Sequence, residues 1–282
     1  MMQLVHDIAR LRAALIELRK NGAGRVAFVP TMGALHDGHL ALVKTAKHHA
    51  DAVVVSIFVN PLQFGAGEDF SRYPRDTERD AALLESVGAD LLFLPTEAML
   101  FPNGQAAQTR VEVPELSDVL CGAVRPGHFV GVTTIVAKLF NLVQPDVAVF
   151  GEKDFQQLTI IRRMVADLNF NLEMIGQPTE READGLAMSS RNAYLSAEER
   201  ARAPVLYTTL NLMAEQLHQG RTDFERLEAE GRASLLASGF VPDYVSIRRV
   251  EDLAVPSSAT ELLVVLIAAR LGQTRLIDNI RV

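Results

Sequence analysis

At 282 residues the chain exceeds one average domain and falls short of two large ones, so a large domain with a smaller companion is expected. Hydrophobic residues make up 48% and charged residues 22%, which excludes long disordered stretches; the longest apolar run, residues 262–269, is far too short to span a membrane. A net charge of −7 argues against a nucleic-acid-binding coat, and a lone cysteine, Cys121, forms no internal disulfide, which suits a soluble protein of the reducing cytoplasm.

Ile8, Leu11, Leu15 and Leu18 recur at helical spacing and predict an amphipathic opening helix ending near Asn21-Gly22. The segment lacks the continuous apolar stretch of a secretion signal. Val26-Ala27-Phe28-Val29 predicts a buried strand stopped by Pro30, then a glycine-containing turn over 31–35 and a helix over 36–50. Residues 52–59 predict a second strand, 60–75 a loop whose 65–75 stretch suits a lid, 76–87 a helix and 91–94 a third strand. After a less regular stretch at 96–128, a helix is expected over 131–142, a strand over 147–150, a helix over 153–168 and a strand over 172–175. Strands alternating with helices predict an α/β fold, a Rossmann-like doubly wound parallel sheet over residues 1–184. The polar segment 178–185 marks the boundary. Helices over 197–218 and 223–237, followed by strands over 244–248, 262–268 and 275–280, predict a smaller α+β domain at 185–282, expected to close over the active site.

Four segments carry chemistry. Pro30-Thr31-Met32-Gly33-Ala34-Leu35-His36-Asp37-Gly38-His39 follows the first strand and opens a helix. A helix N-terminus presents unpaired N–H groups and partial positive charge to a phosphate, and His36 and His39, three apart, face one side. Composition alone predicts about 0.01 occurrences of His-x-Gly-His in such a chain. Two solvated or capping histidines are the plain alternative; a zinc site lacks a third ligand. Asn60 and Gln63 lie just past the second strand, at the sheet edge where ligands sit; their amides suit a hydroxy acid, although an ordinary polar loop reads the same way. Gly151-Glu152-Lys153-Asp154-Phe155-Gln156-Gln157 again opens a helix after a strand, and Lys153 opposes the helix dipole, which points to phosphate rather than capping. Met188-Ser189-Ser190-Arg191-Asn192 places two hydroxyls beside an arginine, ahead of a helix capped by Ser196 with Glu199.

Taken together with Phe58-Val59-Asn60-Pro61-Leu62-Gln63-Phe64, Arg125-Pro126-Gly127-His128-Phe129 and Asp184-Gly185-Leu186-Ala187, these segments resemble the pantoate–β-alanine ligase family of the nucleotidyltransferase superfamily over nearly the whole chain. The histidine and Met-Ser-Ser-Arg elements also resemble the paired signatures of class I aminoacyl-tRNA synthetases. The resemblance implies ATP-driven condensation of pantoate with β-alanine through a pantoyl adenylate, releasing AMP and diphosphate. It implies ATP contacts from Met32, Gly33, Ala34, Leu35, His36, Asp37, Gly38 and His39, from Gly151, Glu152, Lys153 and Asp154, from Glu180 through its backbone, and from Met188, Ser189, Ser190 and Arg191. His39 matches the proton donor; His36, Lys153, Arg191, Ser189 and Ser190 are expected to stabilise charge on the phosphates. Gln63 and Gln157 match pantoate contacts. Magnesium is implied, with Asp80 the acidic residue expected near it and Arg79 standing where some relatives carry a second acid. A cytoplasmic homodimer is expected. The rival readings are a nucleotidyltransferase that joins a nucleotide to a phosphorylated acceptor and a nucleotide-sensing module without turnover.

Overall fold

Near-continuous apolar runs such as Val26–Val29 and Ala52–Val55 belong to strands buried on both faces, which is how parallel sheets read. The computed structural model describes residues 2–258 and 261–282. The chain divides into two compact units, Met1–Glu152 with Ile160–Pro178, and Lys153–Thr159 with Thr179–Val282.

In the first unit, β1 (Gln3–Val5), α1 (Ile8–Lys20), β2 (Val26–Thr31), α2 (Asp37–His49), β3 (Ala52–Ile57), α3 (Thr77–Ser86) and β4 (Leu91–Phe93) alternate. The short helices α4 (Glu97–Leu100) and α5 (Cys121–Val124) precede α6 (His128–Val143), β5 (Val147–Gly151), α7 (Phe155–Asp167, its first residues up to Thr159 belonging to the second unit) and β6 (Glu173–Gln177). All strands pair in parallel in the order β1-β4-β3-β2-β5-β6. Chain order reverses between β2 and β5, and in open sheets of this kind ligands sit at the carboxyl ends of the strands flanking such a reversal. The histidine turn leaves β2 there, and Gly151-Glu152 leaves β5. One sheet face packs Val29, Val55 and Val149 against Leu42, Val43 and Ala46 of α2. On α6, Phe140 meets Phe28 edge-on at 6.3 Å.

Two local readings change. Pro30 does not stop β2 but lies inside it, paired with Ser56; β5 pairs only with Ala27 and Phe28, so at Pro30 the ladder is one-sided and a missing N–H is tolerated. The three-residue edge strand β1 carries too short a pattern to be legible.

In the second unit, α8 (Ala197–Arg202), α9 (Val205–His218) and α10 (Phe224–Ala237) precede β7 (Phe240–Arg249), β8 (Leu263–Leu271) and β9 (Thr274–Arg281), an antiparallel sheet in that order. The single helix expected over 197–218 is two, because Pro204 can neither donate to the preceding turn nor avoid its carbonyl. The Ser196–Glu199 capping box forms as read, with Ser196 N–H on Glu199 at 2.8 Å and Glu199 N–H on Ser196 Oγ at 3.2 Å. Leu206, Leu210 and Met213 of α9 and Leu227 and Leu235 of α10 pack on Val245, Val265 and Ile267. The segment 179–184, expected with the first domain, belongs to this unit: Glu180 and Met188 are hydrogen-bonded and Arg181 bridges Ala187, so the stretch is one hairpin whose two arms cannot be divided.

Candidate active site

The turn between β2 and α2 is built to hold one shape. Thr31 Oγ1 donates to the Ser56 carbonyl at 2.9 Å and accepts from Gly33 N–H at 3.3 Å. Gly33 has φ +82°, and a Cβ there would stand 3.0 Å from Ile57 Cγ2 and 3.1 Å from Asp80 Oδ2. Ala34 adopts φ +52°, a conformation that costs an L-residue of the order of 1–3 kcal/mol and persists only where its surroundings enforce it. Asp80 on α3 enforces it. Its carboxylate, 1% exposed, accepts the Ala34 N–H at 2.8 Å and the Leu35 N–H at 2.9 Å, while Arg79 Nη1 donates to the Leu35 carbonyl at 3.1 Å. Burial pushes the Asp80 carboxyl above its ordinary range, against the pull of these amides and of Arg79.

Asp80, expected near magnesium, thus gives one oxygen to each of two backbone N–H groups of the turn. Among the described residues no group of three or more His, Cys, Asp or Glu side chains could hold a metal ion.

His36 is the N-cap residue of α2. Its N–H donates to His39 Nδ1 at 3.3 Å and its carbonyl accepts the His39 N–H at 2.8 Å. The two rings lie 4.1 Å apart between centroids, so the expected common face exists. With Nδ1 accepting, the proton of neutral His39 sits on Nε2. His39 is thereby preset as a donor at the mouth of a helix N-terminus.

Asn60, expected at substrate, is 1% exposed and makes three hydrogen bonds. Its Nδ2 donates to Gln63 Oε1 at 3.0 Å and to the Gly131 carbonyl at 3.1 Å, and its Oδ1 accepts the Leu62 N–H at 3.2 Å. Asn60 holds the Gln63 carbonyl oxygen and leaves its NH2 to Met32, whose Sδ, a weak acceptor, lies 3.0 Å from that Nε2. The first unit thus joins the amide assigned to an acid with the turn assigned to phosphate. Gly131 permits this approach, since a Cβ there would fall 2.3 Å from the Leu62 carbonyl oxygen.

The sequence reading assigned no role to Glu68, Arg125 or His128, although the Arg-Pro-Gly-His run was visible. Arg125 grips Glu68 with two bonds of 2.6 Å and donates to the Gln63 carbonyl at 3.2 Å. His128 Nδ1 meets the same carbonyl at 2.8 Å, with its Nε2 3.0 Å from Arg125 Nη1. The loop over 65–75 is therefore latched at Glu68 and packed on itself by Phe64, Phe70 and Tyr73. Burial disfavours the Glu68 carboxylate, but the hydrogen bonds and charge of Arg125, with the Gly65 N–H and His128, outweigh it and hold the carboxyl at about 2, against 4.5 for an ordinary glutamate. Because the folded value is the lower one, the ion pair stabilises the fold fully above pH 4.5 and this contribution, about 3 kcal/mol, is lost as pH falls toward 2. Glu68→Gln is expected to lower the thermal midpoint at pH 7, with the gap from the parent narrowing below pH 4.5. Melting curves that stay parallel from pH 7 to 3 would remove the latch.

The first unit also holds Gly151 and Glu152; the second holds Lys153, Asp154, Gln157, Glu180 and residues 188–191. Glu152–Asp154 form a single 3-10 turn before α7; Lys153 Nζ lies 3.5 Å from Asp154 Oδ2, and Gln157 is half-buried on the first turn of α7. The Glu180 carbonyl accepts the Met188 N–H at 2.9 Å, and Ser189 caps the 3-10 turn Ser190–Tyr194 by accepting the Arg191 N–H at 3.3 Å. Arg181 pairs with Asp278 at 2.6 and 3.0 Å. Burial pushes the Asp278 carboxyl up, against the stabilising pull of Arg181.

With this geometry in view, comparison with known proteins is decisive. The model of the pantoate-beta-alanine ligase family matches residues 3–281. The chain belongs to the pantoate–β-alanine ligase family. The pantothenate synthetase of Pseudomonas entomophila is 57% identical to this ligase over 279 residues, 99% of this chain and 97% of that one. The crystal structure of pantothenate synthetase from Thermus thermophilus superposes with a TM-score of 0.91 at 51% identity, covering 99% of both chains. That of the Francisella tularensis ligase, complexed with beta-gamma ATP and beta-alanine, gives 0.82 at 33% identity, covering 99% of this chain and 97% of that one. The α/β architecture read from the sequence is that of these structures. Among the described residues, no helix is long and apolar enough to cross a membrane.

Proposed function

We propose that this ligase condenses pantoate with β-alanine in two steps. First a pantoate carboxylate oxygen attacks the α-phosphorus of ATP and diphosphate leaves, giving pantoyl adenylate. The amine of β-alanine then attacks the acyl carbon, loses a proton and expels AMP. A carboxylate is already ionised at pH 7, so the first step needs no protein nucleophile and no base for the acid. It needs in-line placement and donors aimed at the charge that develops on the phosphates.

The observation that carries this reading is the Asn60–Gln63–Met32 chain of contacts, which sets an oriented NH2 beside a phosphate-binding helix N-terminus. In this reading Gln63 and Gln157 hold pantoate. The segment from Met32 to His39, Gly151 to Asp154, the Glu180 backbone and Met188 to Arg191 bind ATP. His39 donates a hydrogen bond from Nε2–H to the phosphates, and His36, Lys153, Arg191, Ser189 and Ser190 neutralise phosphate charge. The relative solved with an ATP compound and β-alanine supports both substrates. Magnesium, which the family resemblance implies, would supply charge neutralisation on the ATP phosphates. A cytoplasmic homodimer fits the family resemblance.

Pantoate-dependent exchange of labelled diphosphate into ATP, in the absence of β-alanine, is the expected result. Exchange without pantoate would favour a simple nucleotidyltransferase. Formation of ADP in the complete reaction would redirect the assignment to a phosphate-activating ligase.

A further inference from the structure

Asp278 and Asn279, adjacent on β9, face two segments that lie far apart in the chain and are both assigned to ATP. The Asp278 carboxylate takes the fork of Arg181 and the Asn279 N–H, the latter at 2.8 Å. The Arg181 guanidinium also donates to the Gly185 carbonyl at 3.1 Å and to the Asn279 carbonyl at 3.4 Å, and its plane lies 3.7 Å over the Tyr207 ring. The Arg181 contacts pin the hairpin in which Arg181 is bridged to Ala187 and which leads into Met188-Ser189-Ser190-Arg191. Asn279 Nδ2, meanwhile, donates to the Lys153 carbonyl at 2.9 Å. One strand therefore carries the frame for the Lys153 turn and for the serine–arginine loop alike.

Stability alone explains this poorly. Asp278 is 3% exposed, and burying an ion pair is often no better for stability than packing apolar groups of the same volume, whereas it does hold geometry. The Asn279 amide on a backbone carbonyl gives little net stability for the same reason: water was its partner in the unfolded chain. What both residues supply is register between an ammonium and a hydroxyl–guanidinium loop, and charge-stabilising donors lose their effect when misplaced by about 1 Å.

We propose that Asp278 and Asn279 are positioning residues for ATP, fixing Lys153 and the Ser189–Arg191 loop in one frame; the inference rests on the function proposed above. The test uses the full chain. Asn279→Ala removes the side chain and its Nδ2 donor, Asn279→Asp keeps the shape but sets a charged acceptor against the Lys153 carbonyl, and Asp278→Asn removes the charge opposite Arg181. For both Asn279 variants, KM for ATP is expected to rise, or diphosphate exchange at fixed ATP to fall, by about tenfold, with KM for β-alanine within twofold of the parent and a thermal midpoint within a few degrees. Asp278→Asn is expected to show the same split with a lower midpoint; if it fails to fold, the Asn279 pair decides. ATP constants within twofold of the parent in both Asn279 variants would overturn the inference, as would an equal loss across all three substrates tracking a drop in midpoint. A parent enzyme without pantoate-dependent exchange would instead sink the underlying reading, and this inference with it.

Discussion

Replacing His39 or Lys153 by alanine is expected to lower turnover at least ~100-fold, the effect of removing one preorganised donor from a charge-stabilising site. His39 accepts from the His36 N–H through Nδ1, so its Nε2–H is already in place before substrate arrives and requires no reorganisation during the reaction. Lys153 acts as a point charge on a turn whose backbone is tied to Asn279. Neither side chain is buried in a core: His39 is half-exposed and the Lys153 side chain is 20% exposed, so folding is expected to survive both changes. His39→Asn provides the control, because it retains an acceptor for the His36 N–H and lacks the distal donor; it should be about as slow as the alanine variant. Steady-state pantothenate formation, with circular dichroism to monitor the fold, measures all three. Turnover within a few-fold of the parent in both alanine variants would take these residues out of the chemistry.

The second large effect is expected at Asp80. Asp80→Ala leaves the Leu35 N–H buried without a partner and frees Ala34 from its positive-φ conformation. Each orphaned donor costs about 1–3 kcal/mol, so the variant should lose roughly 2–5 kcal/mol of stability and most of its activity, because the displaced turn carries His36 and His39. Chemical denaturation and turnover measured across a magnesium titration separate the two roles considered for this residue. A turn-holding carboxylate predicts a defect that magnesium does not relieve. Recovery of turnover at high magnesium, with stability unchanged, would return Asp80 to the metal.

Much of the architecture was legible because the signals are local. The apolar runs at 26–29, 52–55 and 147–150 declare buried strands, and the spacing of His36 and His39 after β2 declares a helix mouth beside a sheet edge. Other features depended on local chemistry that was present and misjudged: Pro204 divides what periodicity alone joins into one helix, and Pro30 is admitted because the sheet is one-sided there.

The division of labour within the site is a different matter. Sequence by itself determined the fold class, the family and the set of polar residues from which the site is drawn, since strand periodicity, glycine placement and motif spacing are properties of neighbouring residues. Only the tertiary structure decided that Asn60 serves Gln63, that Asp80 serves the turn at Ala34 and Leu35, and that Glu68, Arg125 and His128 secure the Gln63 carbonyl. Apart from the local pair Asn60 and Gln63, those partnerships link groups whose separation along the chain bears no relation to their separation in space. A carboxylate or amide has several lone pairs and donors to satisfy once buried, and which partner satisfies them is set by the packing of whole elements, as when the missing Cβ of Gly131 lets α6 reach the turn after β3.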